Sequence, residues 1–354
     1  MKKKVFFIMA SLGTGGSERV FWLLAQGFDK QLFEVFIVHL GSGKAVLSSV
    51  LEDVKVININ TIKASKSFFK LSKLVWKEKP FAIFSTGAHI NVLVSMMSIF
   101  VKTPVIIARE SNVYSEMAKV VNKRFDIWIP LIEIFYPRFK WIICQSEEIN
   151  SSFLKLFRLS VDKLKIIPNP VKAIEIDNIQ DKQDRVNNTK ILIVARLSPE
   201  KMHSRLLDIF AALPEEYHLT IAGEGPCREK LERQIYNLGL EKRVNLLGEV
   251  KNVNQLYQHH QICVLCSVTE GFPNVLLESI ANGTPIVSFK VGGLSNLIID
   301  GFNGYVIDQD DSESYRLHII KACSQTWKRQ EMMQDIQNRF SLSKISADYQ
   351  ALLN

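Results

Sequence analysis

No stretch of this 354-residue chain is long and apolar enough to cross a bilayer as a helix. The longest apolar run, Val92–Val101, has ten residues, and a span needs about 20. The start, Met1-Lys-Lys-Lys-Val-Phe-Phe-Ile-Met-Ala10, has the outline of a signal peptide. Its apolar run Val5–Leu12 is short, however, and a polar, glycine-rich stretch follows. A first β-strand with a basic lead-in is the better reading. Cysteine is sparse, with five residues (Cys144, Cys227, Cys263, Cys266, Cys323), an odd number that does not suit a disulfide framework. Cys263 and Cys266 form a C-x-x-C, but no second pair or histidine cluster accompanies them, and they lie inside the apolar run Ile262–Val268. They read as buried strand cysteines, not as a zinc or redox site, and reduced thiols suit the cytoplasm. The loop Gly13-Thr-Gly-Gly-Ser-Glu18 lacks the Gly-Lys-Ser/Thr of a Walker loop and the G-x-G-x-x-G order of a nicotinamide site. No nucleic-acid-binding motif is present.

What is present is a globular composition, 47% apolar and 23% charged, in a chain long enough for two domains. The net charge of +8 is unevenly spread. Residues 1–171 hold 24 Lys/Arg against 13 Asp/Glu, a net of +11, and the remainder has a net of −3. A strongly basic half fits nucleic acid, an anionic membrane surface or a phosphorylated substrate.

Short apolar strands alternate with helical patterns. In the first half the strands are Val5–Ala10, Phe33–Leu40, Lys55–Ile59, Ala82–Ser85, Val105–Ala108 and Trp141–Cys144, with helices at Arg19–Phe28 and 64–78 and others between. Lys165-Ile-Ile-Pro-Asn-Pro-Val-Lys172 is a stiff crossing segment, and the polar stretch Asp177–Thr189 follows. The pattern then restarts with strands at Lys190–Ala195, Leu219–Ala222, Val244–Leu247, Ile262–Cys266 and Pro285–Phe289. This predicts an α/β protein of two doubly wound parallel sheets, whose ligands bind at the carboxyl ends of the strands.

The densest signal is Thr269–Pro285. Glu270 opens a Gly-Phe-Pro-Asn turn, a helix begins near Asn274, Glu278 stands about one turn in, and Gly283 with Pro285 ends the segment. The unpaired N–H groups at such a helix start suit an anion, and two carboxylates beside it can accept hydrogen bonds from vicinal hydroxyls. Two glutamates with seven residues between them, set in Glu-Gly-Phe-Pro, Leu-Leu-Glu-Ser and Gly-Thr-Pro-Ile-Val, resemble the E-x7-E signature of retaining glycosyltransferases of the two-Rossmann-domain GT-B type, in the group called family 4. The resemblance spans nearly the whole chain, with its specific motifs in residues 190–305. It implies a GT-B fold, two Rossmann-like domains facing across a cleft. Residues 1–168 would be the acceptor domain and 169–340 the nucleotide-sugar domain, with a last helix near 341–354 crossing back.

Within that resemblance, Val194-Ala-Arg-Leu-Ser-Pro-Glu-Lys201 matches the family residue for residue. Arg196 and Lys201 would stabilise the charge that grows on a departing diphosphate without a metal, the fork and the point charge complementing one another. With Glu270, which would hold the donor sugar, they are the catalytic candidates. Glu278 would hold the ribose. The remaining donor candidates are Gly15 and Gly16 of the glycine loop, Gly248 and Val250 at a strand end, and Gly271, Phe272, Pro273, Asn274, Val275 and Leu276 at the helix start. Ala222-Gly-Glu-Gly-Pro226 resembles the family's strand-end turn. Val291-Gly-Gly-Leu-Ser-Asn296 departs from the usual Gly-Gly-x-x-Glu, with Asn296 in place of the glutamate. His89, Arg109 and Glu110 follow strand ends and are the acceptor-side candidates, with a hydrogen-bonded structural role as the competing reading for His89. No metal or other cofactor is expected.

Residues 63–79 interleave six lysines and one glutamate with Phe68, Phe69, Leu71, Leu74, Val75 and Trp76. A second basic and aromatic piece runs from Lys119 to Tyr136. Together with the +11 half they suggest contact with an anionic membrane. The expectation is therefore a cytoplasmic enzyme, peripheral on the inner face of the cell membrane. It would move a sugar from a nucleotide diphosphate, a UDP-sugar by preference, to a lipid-linked or polysaccharide acceptor, with no nucleic-acid partner. An epimerase or phosphorylase of the same fold would give no acceptor-dependent product. A sugar-nucleotide sensor would bind donor without turnover. A nucleic-acid binder would show a salt-sensitive shift with duplex.

Overall fold

The computed structural model describes residues 2–13, 15–41, 53–61, 64–102, 105–111, 128–172, 189–250 and 252–354. The chain divides into two compact units, Met1–Lys172 with Phe340–Asn354, and Ala173–Arg339.

Unit 1 is a seven-stranded sheet of β1 (Lys3–Met9), β2 (Phe33–His39), β3 (Val54–Asn58), β4 (Ala82–Thr86), β5 (Val105–Glu110), β6 (Trp141–Cys144) and β7 (Leu164–Ile166). The spatial order is β3-β2-β1-β4-β5-β6-β7, and every pair is parallel. Strands such as β4 are buried along their whole length because helices cover both faces. The helices are α1 (Gly16–Gly27), α2 (Ala64–Glu78), α3 (Ala88–Phe100), α4 (Trp128–Phe135) and α5 (Glu147–Leu156). Side chains of α2, α3, α4 and α5 build one apolar layer, including Leu71, Val75, Val94, Ile132 and Phe153. The other layer joins α1, through Phe21, Leu24 and Ala25, to Ile345 and Tyr349 of the chain's last helix.

Unit 2 repeats the plan with β8 (Thr189–Val194), β9 (Tyr217–Ala222), β10 (Val244–Gly248), β11 (Ile262–Leu265), β12 (Ile286–Phe289) and β13 (Gly304–Ile307). Their order is β10-β9-β8-β11-β12-β13, again parallel throughout. The helices are α6 (His203–Ala211), α7 (Arg228–Asn237), α8 (Asn254–His259), α9 (Asn274–Ala281), α10 (Ser312–Ser324) and α11 (Arg329–Phe340), and α12 (Leu342–Ala351) returns the chain to unit 1. Each sheet is a Rossmann-like doubly wound sheet, as the alternating pattern implies. The strand order reverses between β1 and β4 in one and between β8 and β11 in the other, and such reversals open ligand crevices.

Two local differences from the sequence reading have simple causes. Leu164–Ile166, overlapping the start of the crossing segment, is strand β7, because its edge position beside β6 needs only three residues of pairing. Helix α1 starts at Gly16, ahead of Arg19, because extended Gly15 serves as its N-cap. The polar stretch after residue 176 lies outside the described residues until Thr189 opens β8.

Candidate active site

At the carboxyl edge of the second sheet, the ends of four neighbouring strands are laced together by backbone. The loop after β8 bonds to the loop after β9, with Ala195 N donating to Ala222 O at 3.1 Å, Leu197 N to Glu224 O at 3.1 Å and Cys227 N to Leu197 O at 2.9 Å. This approach requires glycine. Gly223 has φ +155, and a Cβ there would stand 1.9 Å from Ala195 O; at Gly225 it would stand 2.4 Å from Leu197 O. Gly223 N also donates to Gly248 O at 2.8 Å, and Gly248, with φ +73, closes β10 ahead of half-buried Val250. The loop after β11 joins the set through Val268 N, which donates to Glu200 O at 3.0 Å.

This lacing brings two predicted catalytic residues into contact. Lys201 Nζ lies 2.5 Å from Glu270 Oε1, and Ser267 Oγ donates to the same oxygen at 2.7 Å. Lys201 ends a short 3₁₀ turn, Pro199–Lys201, and Met202 then takes a left-handed conformation (φ 53) so that α6 can start in a new direction. Arg196 is exposed at the beginning of the same loop. His203, at the start of α6, is buried with neither ring nitrogen hydrogen-bonded. Desolvation, helped by the Lys201 charge, pushes its pKa down to about 4.

Beyond Glu270 the chain runs through half-buried Gly271 and buried Phe272 and Pro273 into α9, whose first turn carries no side-chain cap. Asn274 is the first helical residue, Val275 is half-buried, and Leu276 anchors the turn in the core. Glu278 stands half-buried one turn along. A Schellman end closes the helix, with Gly283 N donating to Ile280 O and Thr284 N to Ser279 O, both at 2.9 Å, and Gly283 at φ 70. The glycine pair after β12 packs on the turn, since a Cβ on Gly293 would lie 2.8 Å from Gly271 O. Asn296 is exposed nearby in sequence, and its carbonyl accepts from Arg339.

Gly15 and Gly16 are exposed at the start of α1, in unit 1. The acceptor-side candidates part company. His89 reaches solvent at the start of α3, its ring 6.4 Å from that of Trp128. Arg109 is buried, donating to Ser17 Oγ and Thr86 Oγ1 at 3.3 Å and to Asn169 Oδ1 at 2.5 Å. Burial lowers its pKa, opposed by the neighbouring Tyr349 and Glu110. Glu110 is buried as well, accepting from Asn91 Nδ2 at 2.6 Å and from Tyr136 Oη. Both therefore engage groups of unit 1 itself. Sequence reasoning passed over Ser267, which orients Glu270, and Asn169, which lay between two prolines and read only as linker. Neither sits in a pattern that periodicity reveals.

The fold and the laced loops define a class, the α/β proteins of two doubly wound sheets, whose ligands bind at the carboxyl ends of the strands. Comparison with known proteins narrows it. The Glycosyltransferase Family 4 profile matches residues 14–173, and the Glycosyl transferases group 1 profile matches residues 175–339. The chain is 28% identical, over 99% of its length and 98% of the relative's, to a Campylobacter jejuni alpha-1,4-N-acetyl-D-galactosaminyltransferase. That relative's named substrate is a GalNAc-containing glycan on diphospho-undecaprenol. An Escherichia coli enzyme named UDP-Gal:alpha-D-GlcNAc-diphosphoundecaprenol alpha-1,3-galactosyltransferase is 24% identical over 75% of this chain and 72% of its own. Among solved structures, Anabaena HepE in complex with UDP and glucose superposes with a TM-score of 0.81 at 19% identity, covering 99% of both chains. This protein is a glycosyltransferase with the GT-B fold, of the family 4 type.

Proposed function

We propose that this enzyme transfers a sugar, with retention of anomeric configuration, from a UDP-sugar to a glycan carried on a lipid diphosphate, at the inner face of the cell membrane. The observation that carries the reading is the Lys201–Glu270 pair, held on loops at the carboxyl edge of the second sheet with Glu270 leading into α9. A cation and a carboxylate on one sheet edge, close in sequence to a helix start, are the groups that a sugar diphosphate calls for. The diphosphate would displace Lys201 from Glu270 and sit between Arg196, Lys201 and the α9 start. Glu270 would then accept hydrogen bonds from the donor sugar, and Glu278 from the ribose. As the bond from the anomeric carbon to the diphosphate breaks, the acceptor oxygen bonds to that carbon from the same face. The acceptor proton passes to the departing phosphate oxygen, so no protein base is required. Because Arg196 and Lys201 meet the leaving-group charge, the reaction is expected to run in EDTA. The named substrates of the Campylobacter and Escherichia relatives, and the UDP in the HepE complex, support the donor and acceptor classes.

The test is calorimetric titration of UDP-, GDP- and ADP-sugars into the wild type and Glu278→Ala. Binding of a UDP-sugar by the wild type, weakened at least tenfold in the variant, is the expected result. A preference for another nucleotide would overturn the donor assignment, and an unaltered variant would remove the ribose role.

A further inference from the structure

Among the described residues, unit 1 leaves an aromatic face exposed. Helix α2 turns Ser67, Leu71 and Val75 inward at four-residue spacing, all buried. Its opposite stripe, Lys66, Phe69, Lys73 and Trp76, points to solvent, with Phe69 79% and Trp76 70% exposed. Helix α3 continues the patch with Met96, Ile99 and Phe100, the last 73% exposed. The ring of Phe68 lies 5.4 Å from Phe69 and 5.9 Å from Phe100, so the apolar surface passes from α2 to α3 without a break. Helix α4 adds exposed Ile134, next to Phe135, whose carbonyl accepts from Ser95 of α3 at 2.6 Å. All of this lies on the outside of one helical layer.

The charges among these groups say what covers them. Lys66, Lys70, Lys73 and Lys77 of α2 and Lys102 just beyond α3 are exposed. On the described parts of these helices the only carboxylates are Glu78, held by Lys4 at 2.7 Å, and exposed Glu133. The core of a protein–protein interface is depleted in lysine. An anionic bilayer surface accepts this mixture, because aromatic and aliphatic tips enter the boundary between headgroups and acyl chains while lysine stems run along it and place their ammonium groups on the phosphates.

We infer that the α2–α3–α4 face is a membrane-docking surface, with Phe69, Trp76, Ile99, Phe100 and Ile134 entering the interfacial layer of an anionic bilayer and the α2 lysines on its headgroups. The inference deepens the proposed function, resting on it for the expectation that the acceptor lies in the same membrane. It places the contact on three particular helices, including α3, whose sequence carries no basic signal.

The test uses the full chain with vesicles of equal parts phosphatidylglycerol and phosphatidylcholine, and with phosphatidylcholine alone, in the absence of donor and glycan. The wild type is expected to co-sediment with the anionic vesicles and to show a blue shift in tryptophan emission that Trp76→Phe removes. A Phe69→Ser, Trp76→Ser, Phe100→Ser variant should lose at least tenfold in partition, with its circular dichroism and donor binding unchanged. A Lys66→Gln, Lys73→Gln, Lys77→Gln variant should lose on the order of 100-fold on anionic vesicles only. Absence of sedimentation at low salt, or aromatic and wild-type chains partitioning alike, would overturn the assignment. So would a wild-type dimer in lipid-free gel filtration that the aromatic variant converts to monomer, since the face would then belong to a second copy. Transfer to a detergent-dispersed acceptor is scored separately. Loss of vesicle binding leaves the transfer reading standing, and absence of transfer leaves the docking surface standing.

Discussion

His203 shows how a single side chain can tie stability to pH. It is buried two residues beyond Lys201, and both its ring nitrogens lack partners. Its folded pKa is about 4, against about 6.5 in an unfolded chain. The folded state thus resists a proton that the unfolded state accepts. The penalty is absent above pH 6.5, grows as pH falls through the window from 6.5 to 4, and levels off below it, because both states are then protonated. Between pH 7 and pH 5 this one group should remove about 2 kcal/mol of stability. Urea unfolding of unit 2 at the two pH values checks this. In His203→Leu, which has no titrating group, the pH 7 to pH 5 difference should shrink by that amount. An unchanged slope would assign the acid sensitivity to other groups.

At the level of loops and helices, the donor edge depends on chain segments touching where no Cβ fits. Gly223→Ala would set a methyl against Ala195 O and force apart the loops after β8 and β9. The expected cost is on the order of 3 kcal/mol, with weakened donor binding because Arg196 and Lys201 ride on the displaced loop. Gly239→Ala supplies the control. It too has positive φ, +66, but nothing lies within 4 Å of the added carbon, so only backbone strain of about 1 kcal/mol should appear. Denaturant midpoints of the two variants separate contact from strain. The same scale explains what the residue string discloses. Thr269–Pro285 is readable because its turn, helix start and glycine stop are local chemistry, fixed by neighbours in sequence. Strand β13 is not, since four residues with an exposed Val306 make no pattern. Nor is the lie of α2. Its interleaved lysines and aromatics suggest outward-facing rings, but only packing against the sheet reveals that Ser67, Leu71 and Val75 take the inner side while Phe69 and Trp76 face solvent. The burial of Arg109 and Glu110 is likewise a tertiary outcome, because a strand end reads the same whether its side chains meet solvent or a helix.

Across the whole molecule, the last helix assigns its stability to the unit where the chain began. Nothing in the residues of α12 announces this, and it follows from where its apolar side finds a matching layer. Ile345, Tyr349 and Leu353 are buried with Phe21, Leu24 and Phe84 of unit 1, and the Tyr349 and Phe84 rings are 5.6 Å apart. Trp141 Nε1 donates to Leu352 O at 3.2 Å, and Asp29 N to Gln350 Oε1 at 3.0 Å. Burial raises the Tyr349 pKa, and adjacent Arg109 opposes the rise. Tyr349→Ala would remove a fully buried ring and one neighbour of a buried guanidinium, at about 3–5 kcal/mol. In scanning calorimetry a unit of this size should lose roughly 10 °C. The loss is expected in the unit 1 transition alone, and the UDP-sugar binding proposed for unit 2 should keep its affinity below that temperature. A single transition falling as a whole would show that the two units unfold together. Donor binding lost in step with Tyr349 would show that the C-terminal helix also supports the donor site, and that the division of labour between the units is less complete than their separate cores imply.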